Sequence, residues 1–275
     1  MIKLETIKIP LLMGILNLTE DSFSDGGKYL RPEHALEHAK RMIDEGADII
    51  DIGAESTRPG SLPVAESVQI ERLLPVVRAI CAKYPGTAIS IDTRSSKVAK
   101  LAVECGATII NDVSAMRDDC LMAAFIASNP HLKIVLMHMS GEPLTMQQNP
   151  SYQNVLQEVL EFFGERLDFC RKAGINRDQI WLDPGIGFGK NLQHNLQLLA
   201  HLDTISELGY PVLLAASRKR FINEISPSEP IDRLPGSLAA ALAGALQNVR
   251  ILRVHDVAAH KQFLNVISRI QMETG

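Results

Sequence analysis

Three polar side chains follow short apolar runs at well separated points of the chain: Asp92, Asn111 and Asp183. A carboxylate accepts two parallel N–H bonds, and a carboxamide both donates and accepts. Groups of this kind, brought together, suit a flat heterocycle with donor-rich edges. Asp51 and Asp112 also lie within such runs. For these two we favour a structural role, as helix caps or ties within the fold, over contact with a ligand.

A second set of residues in similar positions is cationic: Arg58, Arg218, Lys219, Arg253 and His255. On a chain with a net charge of −4, cations at these positions predict an anionic ligand. Arg binds phosphate through two parallel N–H groups, whereas Lys acts more as a point charge. Any one of these residues could instead pair with a neighbouring helix. That alternative is weaker for the set as a whole.

The segment from Gly185 to Lys190 reads Gly-Ile-Gly-Phe-Gly-Lys. It does not fit a phosphate-binding P-loop, because Asn191 stands where Ser or Thr is required, and the third Gly of a dinucleotide fingerprint would fall on Lys190. The pattern predicts close approach of the backbone at Gly187 to a ligand, with Phe188 available to stack on it.

No other nucleophile or metal cluster stands out. We expect His138 to be a satisfied core histidine, and Ser217 has no obvious His partner in its motif. His and Cys residues lack the spacing of a zinc site. Asn17 beside phosphate-binding cations would suit Mg²⁺, which takes few protein ligands.

The elements that position these residues repeat along the chain. Eight apolar runs without alternation end at or next to the polar residues, and helix-length amphipathic stretches separate them, so the pattern predicts βα repeated eight times. In such an α/β (β/α)8 TIM barrel the catalytic groups lie at the carboxyl ends of the strands. We expect one domain spanning residues 1–275. The runs are residues 11–16, 49–53, 88–91, 109–110, 134–137, 180–182, 212–216 and 251–254.

Composition narrows the class further. The net charge of −4, with no stripe of basic residues, argues against a protein that binds nucleic acid. No segment is a convincing signal peptide or membrane span, so a cytoplasmic protein is expected. The four cysteines, at positions 81, 105, 120 and 170, are isolated and predict buried, reduced thiols. Residues 236–246 are apolar all round, which predicts burial against another helix layer or in a homodimer.

The motifs together resemble the dihydropteroate synthase family, the folate-pathway enzymes that sulfonamides inhibit. Residues 13–27, MGILNLTEDSFSDGG, and 48–60, DIIDIGAESTRPG, resemble its first two signatures. The remaining blocks match in order: Asp92 and its neighbours, Asn111-Asp112-Val113, Asp183-Pro184-Gly185, Ser217-Arg218-Lys219, and residues 253–256. Glu20 departs from the Pro often found there.

The resemblance implies condensation of 6-hydroxymethyl-7,8-dihydropterin diphosphate with p-aminobenzoate. It implies that Asp92, Asn111, Asp183 and Lys219 hold the pterin, and that Asp92, Asp183, Lys219 and Arg253 act in catalysis. The resemblance also implies that the diphosphate is bound by Asn17, Arg58, Arg253 and His255, and that Asn17 binds Mg²⁺. It implies that the aminobenzoate pocket is formed by Thr57, Pro59, Phe188, Ser217 and Lys219, and that a loop around Phe23 closes over it.

Two alternatives remain open at this stage. A pterin-binding methyltransferase that works with a corrinoid protein would not need the cluster of Arg58, Arg253 and His255. A non-catalytic pterin-binding paralogue should have degraded loops, whereas residues 22–25 and 56–60 are intact.

Overall fold

A ring of parallel β-strands surrounded by helices forms the centre of the molecule in the computed structural model, which describes residues 7–19, 32–55, 61–141 and 145–273. The strands described are β1 Leu11–Asn17, β2 Ile49–Gly53, β3 Ala88–Asp92, β4 Ile109–Asp112, β5 Lys133–Met137, β6 Ile180–Asp183, β7 Leu213–Leu214 and β8 Ile251–Val254. The helices are α1 Pro32–Asp44, α2 Glu66–Lys83, α3 Ser96–Glu104, α4 Met122–Ala127, α5 Val155–Lys172, α6 Leu192–Ala200, α7 Leu202–Ser206, α8 Arg220–Ile225, α9 Leu234–Leu246 and α10 Val257–Met272.

The strands pair in the order β6-β5-β4-β3-β2-β1-β8-β7, and every pair is parallel. A bridge between Leu182 and Val212 joins β6 to the segment entering β7, where the Leu182 amide donates to the Pro211 carbonyl at 2.9 Å. The sheet therefore approaches closure, and the predicted (β/α)8 barrel is confirmed.

Along β2, β4, β6 and β8, the residues that point into the barrel change from apolar to polar toward the carboxyl end. Met13, Ile49, Ile109 and Ile251 belong to a buried cluster that fills the lower barrel. Because side chains two residues apart share a face, the next inward positions are Asp51 on β2, Asn111 on β4 and Arg253 on β8. The outward strand residues pack instead against the helices in the larger core. The polar groups are thus gathered at one mouth.

Ser95 caps α3, accepting from the Val98 amide at 3.3 Å, and Asn154 caps α5, accepting from the Gln157 amide at 3.1 Å. β7 is shorter than the predicted 212–216. After Leu214 the chain leaves the ladder and reaches Arg218, whose amide donates to Ser237 Oγ of α9 at 2.9 Å with φ of +57°.

The cysteines correct one expectation. All four are free, but only Cys170 is buried; Cys81 and Cys105 are half-buried and Cys120 is exposed. The three accessible thiols lie on α2, at the end of α3 and in the loop before α4, all in the outer layer. No helix in the described ranges has the length and apolarity to cross a membrane.

Candidate active site

Asp51 is a fully buried carboxylate at the centre of the barrel, and it ties three other strands to β2. It accepts from Arg253 Nε at 2.7 Å, from Ser90 Oγ at 2.5 Å and from Asn111 Nδ2 at 3.3 Å. Asp112 faces the other way and accepts from the Ser114 and Met116 amides, both at 2.8 Å. Both carboxylates thus form ties within the fold, the kind of contact that a structural role requires.

Asp92 lies at the end of β3, one layer closer to the mouth than Asp51. Arg253 Nη2 donates to Asp92 Oδ2 at 3.2 Å, so this guanidinium bridges two carboxylates. Burial raises the pKa of Asp92 well above its usual range, and the nearby carboxylates of Asp51, Glu55 and Asp112 add to that effect, while Arg253 opposes it. Arg253 is therefore held by acidic partners before any anion binds.

Asp183, at the end of β6, lies close enough to Lys219, from the loop after β7, for their charges to interact. The Gly185 amide donates to Asp183 Oδ1 at 2.7 Å. Burial raises the pKa of Asp183, and the charges of Lys219, Arg253 and Lys190 work against that shift. Burial likewise lowers the pKa of Lys219 to about 8, and Asp183 opposes this change. A hydrogen-bond acceptor and a cation are thus presented side by side in a dry site.

The segment after Asp183 is a tight turn at Gly185, Gly187 and Gly189, with φ values of +67°, +84° and +62°. A Cβ at Gly185 would lie 1.9 Å from the His138 carbonyl oxygen, so glycine is required there. Lys219 Nζ donates to the Ile186 carbonyl and lies 4.6 Å from the centroid of the Phe188 ring. Phe188 is therefore next to Lys219.

Ser217 and His255 meet where the chain leaves the strand region of β7 and the end of β8. His255 Nδ1 lies 3.1 Å from Ser217 Oγ, and the His255 amide donates to the same oxygen at 3.2 Å. The sequence shows no His partner within the Ser217 motif; the structure supplies one from outside it, because adjacent strands bring together residues 38 positions apart. Arg218 forms an ion pair with Asp256, at the start of α10, as the alternative of pairing with a neighbouring helix predicted.

A cleft of about 510 Å³ opens beside the mouth, between α1 and the start of α10. Its lining includes Asn17, His255 and Arg218. Among the described residues no group of three His, Cys, Asp or Glu side chains could hold a metal. A single carboxamide oxygen at Asn17 fits Mg²⁺ bound chiefly by water and ligand phosphates, and not a closed protein cage.

Two buried residues were missed or undervalued by sequence reasoning. Lys190 is 2% exposed and lies against His138, which is buried as expected. Glu55 accepts from Arg94 at 3.0 Å and from the Val64 amide at 3.1 Å. Lys190 directly follows three alternating glycines in the sequence, and this pattern alone does not mark its amine as buried. Four predicted site residues lie outside the described residues: Phe23, Thr57, Arg58 and Pro59.

The chain is similar in sequence to known pterin-binding enzymes. A model of the family described as pterin binding enzyme matches residues 13–255. Dihydropteroate synthase of Escherichia coli strain K12 is 43% identical over 258 residues, covering 94% of this chain and 90% of that enzyme.

Two solved structures align over nearly the whole chain. Yersinia pestis dihydropteroate synthase in a sulfonamide drug complex aligns with a TM-score of 0.90 and 39% identity, covering 96% of this chain and 94% of that one. Xanthomonas albilineans dihydropteroate synthase with 4-aminobenzoic acid has a TM-score of 0.89 and 43% identity, covering 95% and 93%.

Proposed function

The chain belongs to the dihydropteroate synthase family of pterin-binding enzymes, and from that premise we propose how residues at the barrel mouth carry out its reaction. The enzyme is a transferase of folate biosynthesis. It condenses 6-hydroxymethyl-7,8-dihydropterin diphosphate with p-aminobenzoate to give 7,8-dihydropteroate and diphosphate. The observation that carries the residue assignment is the pair of buried strand-end carboxylates, Asp92 and Asp183, each beside a cation.

We assign the pterin to Asp92, Asn111, Asp183 and Lys219. A pterin edge offers a guanidine-like row of N–H donors, which a buried carboxylate can accept as two parallel bonds. Asn111 and Lys219 supply the donors that the ring oxygen and nitrogen atoms need. Support comes from Arg253, which donates to Asp92 and whose charge also interacts with that of Asp183, as expected if both carboxylates face one ligand.

We assign the diphosphate to Asn17, Arg58, Arg253 and His255, with Asn17 as a ligand of Mg²⁺. Arg253 is already engaged by Asp51 and Asp92, so it would contribute N–H groups left over from those bonds. His255 lines the cleft together with Asn17, which supports a shared anion site. Mg²⁺ bound there would spread the charge of the departing diphosphate.

We assign p-aminobenzoate to Thr57, Pro59, Gly187, Phe188, Ser217 and Lys219, with the loop around Phe23 above them. Phe188 has a ring face beside the Lys219 amine, which suits an aromatic acid whose ring stacks and whose carboxylate meets a cation. Ser217 adds a hydroxyl at the same side of the mouth.

The reaction then needs no strong base. The bond between the pterin methylene carbon and the diphosphate oxygen breaks, and both electrons leave with the diphosphate. Positive charge that develops on the pterin methylene is stabilised by the carboxylates of Asp92 and Asp183. The neutral arylamine nitrogen forms the new C–N bond, and its extra proton passes to the released diphosphate or to solvent.

The deciding assay follows diphosphate release from the dihydropterin diphosphate with and without p-aminobenzoate. Release that depends on p-aminobenzoate, with 7,8-dihydropteroate formed in equal amount, is the expected result. Asp183→Asn should lose this activity, while Asp178→Asn, at an exposed position of the outer layer, should keep it. Release at the same rate without the arylamine would contradict the assignment.

We further propose that the enzyme acts in the cytoplasm as a homodimer formed by α9 and α10. α9 has a glycine- and alanine-rich sequence, and Leu242 and Leu246 pack only partly buried against the cluster of Ile7, Ala245 and Ile267. On α10, Val266 is 53% exposed. Light scattering at micromolar concentration should report twice the chain mass; a monomer would contradict this proposal.

A further inference from the structure

Among the lysines that the structure describes, Lys190 is the most deeply buried one that the reaction scheme leaves without a role. Its Nζ lies 2.9 Å from His138 Nδ1, and it donates to the carbonyls of Gly185 and Phe188 at 3.0 Å each. A longer contact of 3.3 Å reaches the His138 carbonyl. Three N–H groups thus meet three close acceptors, and a carbonyl oxygen completes the cage.

The acceptors around Lys190 explain why a cation is needed there. The turn passes so close to the end of β5 that the ideal Cβ positions of Gly185 and Gly189 lie 1.9 and 2.2 Å from the carbonyl oxygens of His138 and Ser140. This approach gathers the carbonyl oxygens of His138, Gly185 and Phe188 around one point, where they repel one another unless a donor lies between them. The Lys190 ammonium fills that position, so its loss would let the turn move away from β5.

The same turn holds the groups assigned to the pterin. The Gly185 amide orients Asp183, and the Ile186 carbonyl accepts from Lys219. Side chains fix the rest of the turn, since Asn195 accepts from the Gly187 amide at 2.7 Å and Tyr152 donates to the Gly189 carbonyl at 2.9 Å. A displaced turn would therefore displace the carboxylate and the amine together.

We propose that Lys190 is a positioning residue for the pterin site: its buried ammonium locks the 185–189 turn so that Asp183 and Lys219 are held ready for the pterin. The inference rests on the proposed function, because it takes the pterin as the ligand of Asp183. It assigns His138 the role of an acceptor at Nδ1, which requires the tautomer protonated at Nε2.

The charge of Lys190 adds a second, separable effect. Burial lowers the pKa of Lys190 to about 7, so the amine is charged in acid solution, where Asp183 begins to protonate. The charged groups acting on Asp183 are Lys219, Arg253 and Lys190, and all three lower the pKa of its carboxyl. Removing one of them raises that pKa further. The pH below which pterin binding is lost should then rise. We call this falling part of the binding curve its acid limb.

The test compares Lys190→Met with two other variants by calorimetric titration with 6-hydroxymethylpterin between pH 5.5 and 8.5. For Lys190→Met we expect the Kd to rise at least about tenfold, and the acid limb of binding to move up by about half a pH unit or more. Tyr152→Phe removes a bond to the same turn without removing charge, so it should raise Kd less and leave the limb in place. Lys133→Met, at the opposite end of β5, should change neither quantity.

These measurements distinguish a role of Lys190 in positioning the pterin site from a role in stabilising the fold alone. A folded Lys190→Met with a lower urea midpoint but wild-type Kd and acid limb would overturn the proposal. Should that variant not fold, Lys190→Gln keeps two N–H donors and is measured in the same way; failure of both to fold would assign a purely structural role. A wild-type protein that binds the pterin but releases no diphosphate refutes the reaction alone, and one that does not bind it refutes both.

Discussion

Replacing Asp183 by Asn is the sharpest perturbation of the proposed pterin site, because the change is isosteric and its orientation is predictable. The Gly185 amide, at 2.7 Å from Oδ1, needs an acceptor. The Asn carbonyl oxygen will take that place, since the alternative would set two donors against each other. The Asn Nδ2 must then point into the pocket, where the pterin also presents N–H donors.

The size of the effect follows from the bonds lost. A hydrogen bond to a charged partner contributes about 1.5–3 kcal/mol, which corresponds to a loss of affinity of about 10-fold to 140-fold. A second effect acts in the same direction. Without the Asp183 charge, the pKa of Lys219 falls further below its value of about 8, so less of that amine is charged at neutral pH.

Calorimetric titration of the variant with a pterin measures this loss directly, and circular dichroism checks that the barrel is intact. Asp178→Asn is the matched control, because that carboxylate is largely exposed and lies 3.9 Å from Lys133 in the outer layer. Wild-type pterin affinity in a folded Asp183→Asn protein would refute the reasoning, since it would mean that the carboxylate does not meet the ligand.

Three further results are expected. Asp51→Asn should lower the free energy of unfolding by about 3–5 kcal/mol, because it leaves the buried Arg253 with one bonded carboxylate in place of two. The control is Asp168→Asn, at an exposed site, and equal urea midpoints for the two variants would contradict this prediction. Pterin affinity should be highest near neutral pH and fall as pH drops through the raised pKa values of Asp92 and Asp183, because only the ionised carboxylates accept two N–H bonds. An affinity that stays constant from pH 7.5 to 5.5 would exclude them as acceptors. Affinity for p-aminobenzoate should be weak in the free enzyme and rise when Mg²⁺ and diphosphate are added, and equal affinities in the two calorimetric titrations would show that the anion does not help to build the second pocket.

Some parts of the site were beyond reach of sequence patterns. The Ser217–His255 contact and the Asp51–Arg253 ion pair join residues 38 and 202 positions apart, and each depends on how neighbouring strands are aligned. The burial of Lys190 has the same origin, since its acceptors come from a turn and from the end of β5. A charged residue after glycines has no local feature that separates a caged amine from an exposed one.

The sequence by itself determined the barrel, the order of its strands and the polar residue at each strand end. These follow from local rules: unbroken apolar runs predict strands buried on both faces, and parallel strands bring their carboxyl ends to one mouth. Only the tertiary structure decided which partners those residues take. Arg253 is shared by two carboxylates, Arg218 is paired with Asp256, and Lys190 holds the glycine turn. Partner choice depends on distances of about 3 Å across separate strands, and such distances are set by the register of the closed sheet and not by any one segment.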